Sequence, residues 1–267
     1  MSDIPLTRKP APILDIDHVS KVFSLNGRPI HALKDVDLRI QKGEFICLIG
    51  ASGCGKSTLL RIMGGFEQVS SGAARMYYAP ITEPGPERGM VFQDYGLFPW
   101  LTVRQNIAFG PRQRRLPEAR LREIGDHFLN MVGLGKFAEH FPNQLSGGMK
   151  QRVSIARALA NDCEVLLMDE PFGALDALTR EVLQQELLDI WARTKLTVVF
   201  VTHAVEEAVL LADRVIVMTA GPGRVETDFR VPLERPRCIT APEFNHVRRQ
   251  LTEMLTSHVA HASVNRS

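Results

Sequence analysis

No apolar run in the 267 residues approaches the roughly 18 that a membrane-crossing helix requires. The start, Met1 to Pro12, lacks the apolar core of a secretory signal. The expectation from both gaps is a chain that neither spans a membrane nor leaves the cell by that route. Cysteine is scarce and dispersed: Cys47, Cys54, Cys163 and Cys238 form no C-x-x-C pair, which argues against a zinc site or a disulfide framework and for a reducing compartment. A surplus of one charge is missing too. The 32 Lys and Arg nearly cancel the 30 Asp and Glu, leaving +2, too little for the surface as a whole to bind nucleic acid. Internal repeats and low-complexity stretches are absent. What remains, 45% apolar and 23% charged, supplies core enough for one or two compact domains and excludes a disordered chain.

From Leu14 to Ile40 the pattern is strand-like. Val36, Leu38 and Ile40 alternate with Asp35, Asp37 and Arg39, and Asn26-Gly27 marks a turn between two such runs. Phe45 to Ile49 is a continuous apolar run of strand length, followed by a glycine-rich loop and then by Lys56 to Met63 at helical composition. Further short runs, Met90 to Phe92, Val165 to Met168, Val198 to Val201 and Val215 to Met218, are spaced by helical segments, as a mostly parallel sheet with crossover helices requires. The fold class is therefore α/β, with an antiparallel β portion at its N-terminal end.

Between about residues 101 and 161 the periodicity is helical throughout, which predicts an inserted helical subdomain. Thr102 and Gln105 stand at capping-box spacing, Pro117 suits a first helical turn, and Leu121, Ile124, Phe128 and Met131 recur as one apolar face before Gly133. The arginines of Arg112 to Arg115 read as a solvated loop or helix end; the alternative, a phosphate-binding patch, lacks interleaved aromatics. The chain divides into a tail at 1–12, a main domain at 13–230, and a linker and helix at 231–267. Phe244, Val247, Leu251 and Met254 form the stripe by which that last helix packs back.

Gly50-Ala51-Ser52-Gly53-Cys54-Gly55-Lys56-Ser57, with Thr58 after it, fits the phosphate-loop pattern G-x-x-x-x-G-K-[ST] and sits between a buried strand and a helix. Glycines let successive N–H groups converge on phosphate oxygens, and the helix N-terminus adds its dipole to the same anion. Lys56 then reaches the β and γ phosphates, and the Ser57 hydroxyl is a Mg²⁺ ligand. Cys54 reads as a small residue; a redox role is the alternative. The site also needs an acidic contact for the metal. Val165 to Met168 is a buried run that delivers Asp169 to the metal and Glu170 next to it as general base for the attacking water, since a strand points successive side chains apart.

Leu145-Ser146-Gly147-Gly148-Met149-Lys150-Gln151-Arg152 resembles the signature motif of ATP-binding cassette ATPases. Gln93 matches that family's Q-loop, Ala174-Leu175-Asp176 its D-loop and His203 its switch histidine, in the family's order. The resemblance spans about residues 14–229. The segment Gln93 to Val103, the LSGGM form of the signature and Ala220-Gly221-Pro222-Gly223-Arg224 are similar to the ATPase subunits of nitrate, sulfonate and taurine importers. Met149 departs from the glutamine usual there; one lost side-chain hydrogen bond, worth about 0.5 to 1.5 kcal/mol, leaves the phosphate grip to Ser146 and the glycine N–H groups.

The resemblance implies ATP and Mg²⁺ as ligands, with Gln93 joining the metal site and His203 holding the γ phosphate. Phe23 takes the place of the adenine-stacking aromatic, a core phenylalanine being the alternative. It further implies a head-to-tail homodimer in which Ser146, Gly147 and Gly148 complete the partner's site, with Asp176 of the D-loop also among the nucleotide-binding residues. Separate permease subunits, served by a solute-binding protein, then hold the pair at the cytoplasmic face of the cell membrane, with no nucleic acid involved. Asp94 to Trp100 resembles the permease-docking surface; buried, it is instead the hinge core of the insert. Soluble and regulatory cassettes are the competing class, opposed by intact Lys56, Asp169, Glu170 and His203.

Overall fold

The computed structural model describes residues 11–264, so most of the expected tail at 1–12 lies outside it. The chain opens with β1 (Leu14–Leu25), β2 (Arg28–Ile40) and β3 (Phe45–Gly50), followed by α1 (Lys56–Gly64), β4 (Ser71–Met76), β5 (Ala79–Pro80) and β6 (Arg88–Val91). The insert contributes α2 (Val103–Ile107), α3 (Phe109–Gln113), α4 (Glu118–Met131) and α5 (Gly147–Leu159). Then come β7 (Val165–Asp169), α6 (Ala177–Thr194), β8 (Thr197–Val201), α7 (Val205–Leu211), β9 (Arg214–Thr219), β10 (Arg224–Arg230) and α8 (Pro242–Val264).

Two sheets result. The smaller is antiparallel in the order β2-β1-β4-β5; the larger has six strands in the order β10-β9-β3-β8-β7-β6. In the larger sheet β9, β3, β8, β7 and β6 run parallel, and β10 lies antiparallel on the β9 edge. The continuous apolar runs follow from burial on both faces. Phe45, Cys47 and Ile49 pack with Phe172, Phe200, Leu187 and Phe244 on one side. Ile46 and Leu48 pack with α1 and the small sheet on the other, against Leu59, Met63, Ile16 and Leu38. Asn26 and Gly27 both take positive φ, 51° and 76°, as a two-residue hairpin turn that matches strand twist demands.

The insert has its own core, built from Val103, Ile107, Leu129, Val132, Val153 and Ala156. The capping box at Thr102 and Gln105 is formed in both directions. Pro117 stands one residue earlier than expected, at the N-cap, and the buried stripe of α4 runs through Leu121, Gly125 and Leu129, leaving Ile124, Phe128 and Met131 half-buried. Arg112 pairs with Glu118 and Arg114 with Asp162 at the surface, so the arginine run is a set of solvated ion pairs. Strands β4 and β10 escaped the sequence reading because neither carries an apolar run: β10 alternates exposed and half-buried residues along its whole length. α8 packs back as expected, with Phe244, Val247 and Leu251 buried. In the linker before it, Arg237 donates to Val209 O and Ala212 O, both at 2.7 Å, satisfying carbonyls at the end of α7 that have no helical partner.

Candidate active site

The C-terminal ends of the parallel strands, where doubly wound sheets collect their ligands, bring four segments together. β3 ends at Gly50 and α1 starts at Lys56. Space demands glycine twice in the loop between them. A Cβ on Gly50 would lie 2.4 Å from Met218 O, and one on Gly55, whose φ is 90°, would lie 2.6 Å from Leu33 Cδ2. Lys56 is buried, and its Nζ donates to Gly50 O at 2.8 Å and Ala51 O at 3.1 Å. The ammonium is thus folded back onto the carbonyls of its own loop while Ala51, Ser52 and Gly53 stay exposed, a cradle that suits a polyphosphate. Cys54 is fully buried with Sγ 3.6 Å from Lys56 Nζ, so it fills space and is closed to solvent. Ser57 and Thr58 are half-buried.

Ser57 Oγ donates to Asp169 Oδ1 at 2.8 Å. Burial pushes the Asp169 carboxyl above the usual range, the Ser57 bond opposes that, and the charge of Glu170 adds to it. A hydroxyl and a desolvated carboxylate this close are the hard oxygen donors Mg²⁺ takes. The expected divergence of Asp169 and Glu170 arises differently from the strand alternation foreseen. β7 stops at Asp169, and Glu170 turns into the left-handed region with φ 44°, a conformation costing roughly 1 to 3 kcal/mol that is typical of functional sites. Its N–H still donates to Val201 O at 3.0 Å, and the turn leaves Oε2 3.5 Å from His203 Nδ1. The His203 side chain is 68% exposed, which excludes a core histidine. Gln93 follows the end of β6 and is exposed.

A second group of expected residues gathers elsewhere. Ser146 is the N-cap of α5, its hydroxyl accepting from Met149 N at 3.3 Å. Gly147 abuts Leu175 and Tyr95, and a Cβ on Gly148 would lie 2.7 Å from Thr179 Cγ2. Asp176 is the N-cap of α6 and accepts from Thr179 N at 3.0 Å; bonding from that backbone N–H holds its carboxyl below the usual range. Ser146, Gly147, Gly148 and Asp176 therefore share one surface. Among the described residues, no hydrogen bond or ion pair joins them to Lys56, Ser57, Asp169 or Glu170. Phe23 lies on β1 at 36% exposure with Lys21 Nζ 4.8 Å from its ring centre, so the core alternative is excluded and a ring face is available.

The Asp94 to Trp100 segment is divided. Phe98 is half-buried, its ring 4.4 Å from that of Phe109, with the Arg157 guanidinium 5.4 Å above it. Ser154 Oγ and Arg157 Nη2 donate to Tyr95 O, fastening the segment to α5, whereas Trp100 is 70% exposed. The sequence reading gave no place at the site to three further residues beside it. Gly223 touches the phosphate loop so closely that a Cβ there would lie 2.1 Å from Cys54 O, and Thr202 and Glu207 form a buried polar pair behind His203. A glycine's neighbours, and which of the two acids in the first turn of α7 is buried, leave no local signal.

No described helix is long and apolar enough to cross a membrane. A family model described as ABC transporter matches residues 33–173. The nitrate import ATP-binding protein of Synechococcus elongatus is 48% identical over 255 residues, covering 93% of each chain. The bicarbonate transport ATP-binding protein of Synechocystis sp. is 46% identical, covering 97% of this chain and 95% of that one. Among solved structures, a dimeric post-hydrolysis state of an ATP-binding cassette bound to ADP and phosphate superposes with a TM-score of 0.73 at 34% identity, over 83% of this chain and 100% of that one. Sequence, fold and the meeting of phosphate loop with paired acids agree: the chain belongs to the ABC transporter family and is one of its ATP-hydrolysing cassettes.

Proposed function

We propose that the chain drives a binding-protein-dependent importer of a small solute, of the nitrate, bicarbonate, sulfonate or taurine kind, from the cytoplasmic face of the cell membrane. The observation that carries the mechanism is the meeting of Ser57 with Asp169, and of Glu170 with His203, at neighbouring strand ends. Lys56 and the loop N–H groups hold the triphosphate, and Phe23 stacks on the base. Ser57, Asp169 and Gln93 would hold Mg²⁺, which would neutralise phosphate charge. Glu170 accepts the proton of the attacking water as that oxygen bonds to the γ phosphorus and the bond from the γ phosphorus to the β–γ bridging oxygen breaks. ADP leaves with the bonding electrons and phosphate is released; His203 orients the water and the γ phosphate. The surface of Ser146, Gly147, Gly148 and Asp176 closes on the nucleotide of a second copy, so the two chains pair while the γ phosphate is present and part when it leaves. Relatives named for nitrate and bicarbonate import support the solute class. Trp100, 70% exposed although its ring lies 5.7 Å from that of Phe98, supports a permease contact.

Glu170→Gln tests this reading, since the amide keeps the shape and loses the basic oxygen. Phosphate release should fall by about 10² to 10⁴, with MgATP binding retained and an ATP-bound dimer visible by size-exclusion chromatography. Unchanged turnover would remove Glu170 from the mechanism. A regulatory cassette without turnover is separated by the same assay on the unaltered chain.

A further inference from the structure

Behind His203 lies a carboxylate that the steps above leave unused. Glu207, in the first turn of α7, is 8% exposed, a costly place for an ionisable group unless it is well partnered. It is well partnered. Its Oε2 accepts from Thr202 Oγ at 2.5 Å, its Oε1 accepts from Gln184 Nε2 at 3.1 Å, and Arg180 Nε lies 3.8 Å from that same oxygen. The end of β8, the buried side of α6 and the start of α7 therefore meet on one charge.

Thr202 passes that anchorage on. Its hydroxyl, while donating to Glu207, accepts the backbone N–H of Ala204 at 3.0 Å. Its own N–H donates to Leu48 O at 3.2 Å, near the end of β3. His203 stands between these two pinned residues. Its ring is mostly exposed, so its direction is set by the backbone on either side more than by packing around it. A small, partly open pocket of about 20 Å³ is lined by residues that include Glu170, Arg180, Thr202, His203 and Glu207. The buried cluster and the Glu170–His203 pair thus face the same wall.

We propose that Glu207 is a positioning residue for hydrolysis: through the Thr202 hydroxyl it fixes the backbone on both sides of His203, and with it the reach of that ring towards Glu170. The inference rests on the role proposed above for His203. A buried carboxylate is a poor device for stability alone, because an uncharged residue of similar volume commonly serves as well. Its place one hydrogen bond from the residue preceding His203 gives the charge a use. Arg180, which also donates to Leu175 O at 2.9 Å, links the same cluster to the segment before Asp176.

The test compares Thr202→Val, which keeps the shape and removes the hydroxyl, with Thr202→Ser, which returns it, and with Glu207→Gln, which keeps one acceptor oxygen of two. Each full-length variant is examined for melting temperature, for kcat and KM of MgATP hydrolysis, and for the carbon–proton NMR signal of the His203 ring, assigned by its loss in His203→Ala. Thr202→Val and Glu207→Gln should lower kcat by about 10- to 100-fold, with KM changed less than about threefold and the His203 signal displaced. Thr202→Ser should recover most of the turnover and restore the signal, a recovery that a purely structural role for the cluster does not predict. If Glu207→Gln does not fold, Thr202→Val decides alone. Should His203→Ala hydrolyse normally, the role of His203 falls and the inference with it. Should His203→Ala be inactive while folded Thr202→Val keeps its kcat, or loses kcat with the His203 signal unmoved, only the inference is overturned.

Discussion

Asp169 stands where burial penalises its ionised form. Burial pushes its carboxyl up, so the folded chain holds that proton more tightly than the unfolded chain does. The contribution of Asp169 to stability is full below the ordinary carboxylate range and is lost as pH rises through the raised value. Asp169→Asn removes that loss while keeping an oxygen for the Ser57 hydroxyl. Nucleotide-free Asp169→Asn should therefore melt higher than the unaltered chain at neutral pH, with the two curves converging in acid, and its hydrolysis should no longer respond to Mg²⁺. Equal melting at neutral pH would mean the carboxylate is not penalised by its burial. Gly223 is the second case at this scale. Gly223→Ala should displace Cys54 or Ala32 and weaken ATP binding about tenfold, measurable by titration calorimetry, because a 1 Å shift in a phosphate cradle is felt directly. The phosphate loop, both acids and His203 were legible in the sequence because each stands at the end of an apolar run. A place at the site was not legible for Gly223, Thr202 and Glu207, because their contacts are with neighbours that only folding supplies.

Among the elements, short helices make the clearest test of local rules. α2 spans only Val103–Ile107, too short to persist by propensity, and its capping box must carry much of the start. Thr102→Ala should cost about 1 kcal/mol, seen as a lower denaturant midpoint with an unchanged slope. The aromatic segment beside it divides by element too. Phe98 is held between α3 and α5, whereas Trp100 projects. Trp100→Ala should leave melting and ATP hydrolysis nearly unchanged and reduce copurification with the permease; a large drop in melting temperature would make Trp100 part of the core instead. The strands of the parallel sheet were legible because burial on both faces makes them continuously apolar. β4 and β10 are sheet members by hydrogen bonding to a neighbour rather than by composition, which is why pattern alone passed over them. The one-residue displacement of Pro117 and the rotated stripe of α4 reflect packing against α2 and α5, which a single helix cannot report.

Across the molecule, the two residue groups stand apart from one another. Lys56, Ser57, Asp169, Glu170 and His203 meet at the strand ends, while Ser146, Gly147, Gly148 and Asp176 share another surface beside Leu175 and Thr179. In the head-to-tail pair proposed above, the two surfaces would meet across the nucleotide. The most direct measurement mixes a Lys56→Ala chain with a Ser146→Arg chain. One composite site then carries both lesions, and the other carries neither. Nucleotide trapping is the readout, because trapping at an intact site needs no turnover by its twin. The account predicts that mixed dimers trap nucleotide at about half of their sites, against almost none in either parental homodimer. If dimers shown to be mixed trap no more than the parents, each site is built within one chain and the shared-site architecture is wrong.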